Sequence, residues 1–225
     1  MGIPASPGPE KIQVIQPRRR SGDQRAFLPA GTSGCRSVSG NQGKASQPAH
    51  EGTYKWAINT AQRNGAQVCD VEQPQCQSIN FNGINFSLLN TKFLSAKPIG
   101  WTNKGRFENA NSIVAYAIIN GKKVVFAGDI GDYFGYNQET MMANQVGDID
   151  VYKVAHHGYV TFQNDQAVLN ALRPEYAIIS NYCSGAGEAI RRLKRTGASA
   201  HNVYCTGDGT VVLKIDNNGN VTIDQ

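Results

Sequence analysis

Apolar and polar positions fall into regular patterns only from Tyr54 onward. Trp56, Ala57, Thr60 and Ala61 recur at helical spacing within Tyr54–Arg63, and Asn64-Gly65 stops the run, which predicts a helix. Residues 78–81 and 84–88 then alternate with period two on either side of Asn82-Gly83, a dipeptide suited to the positive φ angles of a tight hairpin turn. A second hairpin is expected from Ser112–Ile119, Asn120-Gly121 and Lys122–Ala127. Its apolar runs are nearly continuous, so these strands are expected to be covered on both faces.

Beyond Gly128-Asp129 the pattern becomes strand and helix in alternation. A helix is predicted around Gln138–Val146, a strand at Asp150–Ala155, and a helix at Asp165–Leu172 with Asn164 as its N-cap and Pro174 beyond its end. A strand at Tyr176–Ser180 leads to a helix from about Gly187 to Thr196, closed by Gly197. Short strands at 202–205, 210–215 and 221–223, separated by Gly-rich turns, finish the chain. Hairpins followed by strand–helix alternation indicate an α/β (α+β) mixed sheet with helices packed on it, and residues 51–225 read as one domain.

The first 50 residues differ in kind. They hold six of the nine prolines, few apolar residues and no sustained period, so they cannot bury enough surface to offset their ordering entropy, and a mostly disordered leader is expected. Charge divides at the same place. Residues 1–50 carry seven Lys/Arg against two acidic residues, whereas residues 51–225 carry 15 of each, so the net +5 belongs to the leader and gives no warrant for a basic groove in the body. Arg18-Arg19-Arg20 reads as a solvated stretch, with a phosphate-binding arm as the alternative. No stretch approaches the ~20 apolar residues that span a bilayer, and no apolar core of a secretory signal is visible.

Five cysteines form no C-x-x-C pair, so a zinc ribbon is not indicated. Free buried thiols are expected for Cys35, Cys69, Cys76, Cys183 and Cys205. Bridges between Cys69 and Cys76, or between Cys183 and Cys205, are the alternatives if the compartment is oxidising.

Two strand ends carry residues able to do chemistry. Asp129 follows four apolar strand residues and Gly128, with Asp132 three positions later. A carboxylate there could bridge metal ions or, as a turn residue, cap backbone amides. The second is Ala155-His156-His157-Gly158. Adjacent histidines on a strand point to opposite faces unless the backbone turns at the pair, a turn that Gly158 permits. Neutral imidazole is a common ligand of zinc and also serves manganese or iron, so Asp129, His156 and His157 form a candidate metal half-site. His201 and the Arg191-Arg192-Leu193-Lys194-Arg195 cluster read as surface residues, the cluster having phosphate-backbone contact as its alternative. No P-loop, dinucleotide fingerprint or G-x-S-x-G elbow is present.

The order Asn111–Val114, Val124–Asp129, Asp150–Gly158 and Arg173–Ser180 resembles the carboxy-terminal half of the metallo-β-lactamase superfamily, in the branch of ComEC-type competence nucleases and related phosphodiesterases. Tyr204–Val211 is similar to that branch's final hairpin. The resemblance covers roughly residues 55–225. It implies an αββα sandwich with a dinuclear zinc or manganese site at one edge, in which Asp129 is the bridging carboxylate. The His156-His157 pair would supply one ligand and one neighbour contacting the substrate's oxyanion, in an order the sequence leaves open. The family's H-x-H-x-D-H motif is absent. Tyr159 also stands where the family has Ser after His-His-Gly, and Asn181–Gly185 replaces the branch's later Asn-and-His loop. The sandwich is therefore expected to be incomplete or degenerate at its amino-terminal end. The function implied is metal-dependent phosphodiester hydrolysis, of nucleic acid or a related compound, with a partner chain as one way of completing the fold. The alternative is a catalytically inactive homologue or fragment serving as a binding module.

Overall fold

Asn82-Gly83 and Asn120-Gly121 both take the left-handed backbone, with φ of 50° and 86° in the first pair and 48° and 82° in the second. That is the conformation two-residue hairpin turns require, and both hairpins form as expected. The computed structural model describes residues 11–13, 37–39, 56, 59–65, 67–69, 71, 73–91, 109–197 and 202–225. Residues 56 and 59–63 are helical, within the first predicted helix. His50 and His201 lie outside the described residues, as does most of the leader.

Strands β1 (Lys11–Gln13), β2 (Ser37–Ser39) and β3 (Gln67–Cys69) come first. The hairpins are β4 (Ser78–Phe81) with β5 (Ile84–Leu89), and β6 (Val114–Ile119) with β7 (Lys122–Phe126). Then follow α1 (Gln138–Val146), β8 (Val151–Lys153), α2 (Gln166–Leu172), β9 (Tyr176–Ile179), α3 (Gly187–Arg195), β10 (Val203–Cys205), β11 (Val212–Ile215) and β12 (Val221–Asp224). A seven-stranded mixed sheet runs β10-β9-β8-β7-β6-β5-β4. It is antiparallel through the hairpins and parallel from β7 to β10, where α1, α2 and α3 make the crossovers that parallel strands need.

The large sheet is covered on two sides. Tyr152, Val154, Ala177 and Ile179 pack under Met142, Ala143, Leu169, Leu172 and Leu193 of the helices. Val124, Val151 and Ile178 pack instead against Val211, Leu213 and Ile215, which carry the small sheet β1-β11-β12. Helices, large sheet and small sheet thus form three layers, consistent with the α/β class read from the sequence.

Two expectations need correction. Ile118 is 60% exposed, although its strand reads as covered on both faces. By period-two alternation it faces the helical layer with Val114 and Tyr116, and the helices cross over the parallel half of the sheet, leaving this end of β6 bare. Within the leader, Lys11–Gln13 pairs antiparallel with Val212–Lys214 and Ser37–Ser39 pairs with Gln67–Cys69. Pairing of three residues with a distant strand leaves no periodicity to detect. Second, Cys183 and Cys205 are not free thiols but a disulfide, with Cα atoms 5.4 Å apart. Cys76 is also disulfide-bonded.

The Cys183–Cys205 bond closes a loop with a sequence separation of 22, and it ties the turn after β9 to the end of β10. Chain-entropy arithmetic for a loop of that length gives about 3 kcal/mol. Replacing both cysteines by Ala is therefore expected to lower the unfolding free energy in urea by about that amount. An unchanged midpoint and slope would show that the bond does not constrain the unfolded chain.

Candidate functional site

Strands β7, β8 and β9 are mutually parallel, so their carboxyl ends share one edge of the sheet, and the loops leaving that edge carry all three candidate residues. The chain leaves β7 through Ala127 and through Gly128, whose φ is +60°. Ser112 Oγ accepts the Asp129 N–H at 3.2 Å, and Gly128 O accepts the His156 N–H at 3.0 Å. The β7 and β8 exits are thereby fastened to each other.

At the end of β8 the backbone turns at the histidine pair itself. His156 (φ 42°, ψ 49°) and His157 (φ 56°, ψ 23°) are both left-handed, and Gly158 follows at φ +81°. Left-handed backbone at two successive non-glycine residues costs of order 1–3 kcal/mol each and persists only where the surroundings hold it. The turn removes the strand alternation that would have separated the two rings, which now have centroids 6.1 Å apart. A larger residue at Gly158 is disfavoured for a second reason, since a Cβ there would lie 3.0 Å from the Ala186 side chain and 3.2 Å from that of Ile179.

The turn brings His157 to Asp129, with Nε2 3.6 Å from Oδ1 and both side chains about a quarter exposed. On the other side of the ring, His157 Nδ1 lies 3.1 Å from the Ser180 carbonyl oxygen and 2.9 Å from Ser180 Oγ. A carbonyl oxygen can only accept, so the 3.1 Å contact is a hydrogen bond when Nδ1 carries the hydrogen, whereas the Ser180 hydroxyl can serve either tautomer. With the hydrogen on Nδ1 of the neutral imidazole, the Nε2 lone pair faces a carboxylate oxygen. Two acceptors held face to face call for a cation or a proton between them, and an Nδ1–H bonded to a backbone carbonyl is the usual second partner of a metal-ligating histidine.

His156 is held differently. Its Nδ1 lies 3.1 Å from the Tyr133 hydroxyl, which also receives the Gln163 side-chain amide, and its ring packs on Tyr159 with centroids 5.0 Å apart. Burial holds its imidazole below the usual pKa, with the Asp129 carboxylate pulling the other way. Asp132, the second acidic candidate, is a cap rather than a site residue. Its Oδ1 accepts the N–H groups of Glu139 at 2.8 Å and Thr140 at 3.1 Å at the start of α1.

Lys153 was not singled out by sequence reasoning, although a charged residue inside an apolar strand is a visible signal. It is in register with Phe126 and Ile178, on the face toward the small sheet. Burial lowers the pKa of its ammonium and the Asp129 carboxylate raises it, so Lys153 and Asp129 act on each other at the same strand edge. Ser180 and Tyr133 also escaped notice, because their contacts to the histidines span 23 positions.

As a metal fit, the site offers two donors aimed at one point, Asp129 Oδ1 and His157 Nε2. These suit two coordination positions of one divalent ion. The described residues bring no third carboxylate, imidazole or thiol into that group. Cys183, Cys205 and Asp208 do cluster, but the two sulfurs are bonded to each other and are spent as ligands. Compared with known proteins, the sequence matches no protein-family model and no curated protein.

Proposed function

We propose that the chain is a metallo-β-lactamase-like, metal-dependent hydrolase acting on phosphodiesters of the nucleic-acid type. The observation that carries this reading is the 3.6 Å approach of His157 Nε2 to Asp129 Oδ1, with Nδ1 anchored on Ser180. Three further features support it: the order of the sequence blocks, the layering of helices, large sheet and small sheet, and the position of the site at the carboxyl ends of parallel strands. In the proposed αββα arrangement the described layers are one half and its interface. The other metal ligands would come from outside the described residues or from a partner chain.

Zinc or manganese at Asp129 and His157 would polarise a phosphoryl oxygen and lower the pKa of a water. The chain's own residues have narrower tasks. Asp129 would neutralise part of the ion's charge and serve as one of its ligands, Ser180 orients the His157 ring, Tyr133 orients the His156 ring, and the Lys153 ammonium adds positive charge near Asp129. His156, tethered at Nδ1, leaves Nε2 as the atom able to meet a substrate oxygen. The presence of only two converging donors among the described residues favours a second reading, a non-catalytic binding module on the same scaffold.

Metal analysis of the purified chain after manganese or zinc loading, alongside hydrolysis of a chromogenic phosphodiester, separates the two. The enzyme reading expects bound metal and turnover that a chelator stops. A metal-free, inactive protein that is monodisperse would overturn it in favour of the binder. Activity that appears only with a second polypeptide would identify a completing partner.

A further inference from the structure

The left-handed histidine turn must be held by something, and the residue placed to hold it is Asn164, which is fully buried. Its side-chain Nδ2 donates to the Ala155 carbonyl at 3.0 Å and to the Tyr159 carbonyl at 2.7 Å. Those two carbonyls flank the histidine pair, one just before His156 and the other two residues after His157. One amide therefore spans the turn, and the reverse amide orientation would set Oδ1 against two carbonyl oxygens.

Asn164 is itself fixed through its backbone from two directions. Its N–H donates to the buried Glu139 carboxyl at 2.8 Å and its carbonyl accepts Arg192 Nη1 at 3.0 Å. Its own backbone is left-handed, at φ 53°. Asp165, not Asn164, caps α2 through its contact with the Gln166 N–H. The capping role expected for Asn164 is thus taken by its neighbour, which leaves the Asn164 side chain to the turn. On the far side, Asn181 Nδ2 donates to the His157 carbonyl at 3.3 Å, from the same loop as Ser180.

We infer that Asn164 is a positioning residue for the candidate site: its amide, bridging the carbonyls on both sides of the histidine pair, holds the strained turn that sets His157 Nε2 against Asp129. The inference deepens the metal reading above, and its test has an arm that needs no metal.

Asn164→Ala is compared with Val168→Ala, a core truncation on α2 whose apolar side chain makes no hydrogen bond to the turn, at a temperature where circular dichroism shows both folded. Imidazole ¹⁵N NMR of the metal-free protein reports which His157 nitrogen carries the hydrogen. The native chain and Val168→Ala are expected to show His157 protonated at Nδ1 alone, and Asn164→Ala a mixture of both tautomers. Manganese affinity is then expected to fall about 10–100-fold in Asn164→Ala only. A His157 signal unchanged in folded Asn164→Ala would overturn the inference. So would an equal loss of affinity in the two variants. A native chain that binds no manganese but shows the tautomer change would instead sink the metal reading and leave the positioning role standing.

Discussion

Asp129→Asn is expected to lower metal-dependent phosphodiester hydrolysis about a thousandfold while the chain stays folded. The carboxylate does not carry the fold, since only its backbone N–H bonds Ser112, and its side chain meets the site. Replacing one oxygen by an amide keeps the shape but removes the charge that a divalent ion and the Lys153 ammonium both need. Several kcal/mol of charge stabilisation in a metal site corresponds to the rate loss given. The same change leaves a desolvated ammonium without its opposing carboxylate, so a drop in melting temperature should accompany it. Lys153→Met in the Asp129→Asn background is expected to recover that melting temperature but not hydrolysis. Hydrolysis retained within tenfold in Asp129→Asn would remove Asp129 from the reaction.

The second large effect concerns Glu139, a fully buried carboxyl on α1. Burial is the main cause of its pKa rising from 4.5 to about 8; the Asp132 and Asp165 carboxylates push the same way, and the Asn164 N–H and the Tyr152 hydroxyl oppose them. Between those two pKa values the folded state keeps a proton that the unfolded state has released. Stability is therefore full below about pH 4.5 and falls as pH rises toward 8, by at most roughly 5 kcal/mol. Glu139→Gln keeps an oxygen to accept the Asn164 N–H and has no charge to desolvate. Urea unfolding at pH 5, 6.5 and 8 should show a decline in the native chain and a flat profile in the variant, with the variant ahead at pH 8. Parallel declines would show that the pH dependence arises elsewhere.

How far these features could be read beforehand depends on the range over which each interaction acts. The hairpins were legible because Asn-Gly and period-two alternation are local, and the helices at 166–172 and 187–195 because punctuation by Pro174 and Gly197 is local too. The pairing of Asp129 with the histidines was legible as a juxtaposition, since consecutive strand ends in a parallel run must share an edge. The exposure of Ile118 was not, because it depends on which part of the sheet the helices cross. The disulfide was left among alternatives for a similar reason: the approach of Cys183 to Cys205 follows from β9 and β10 lying side by side.

The sequence by itself determined the order of elements, the mixed sheet and the location of candidate chemistry at two strand ends, because hydrophobic period and turn residues act over a few positions. Only the tertiary structure decided which histidine faces Asp129, that Asp132 is a cap, that Ser180 and Tyr133 meet the imidazoles, and that the Asn164 amide bonds the carbonyls on either side of them. Each of these depends on a hydrogen bond or contact whose partner lies between 5 and 28 residues away, and no local pattern encodes such a partner.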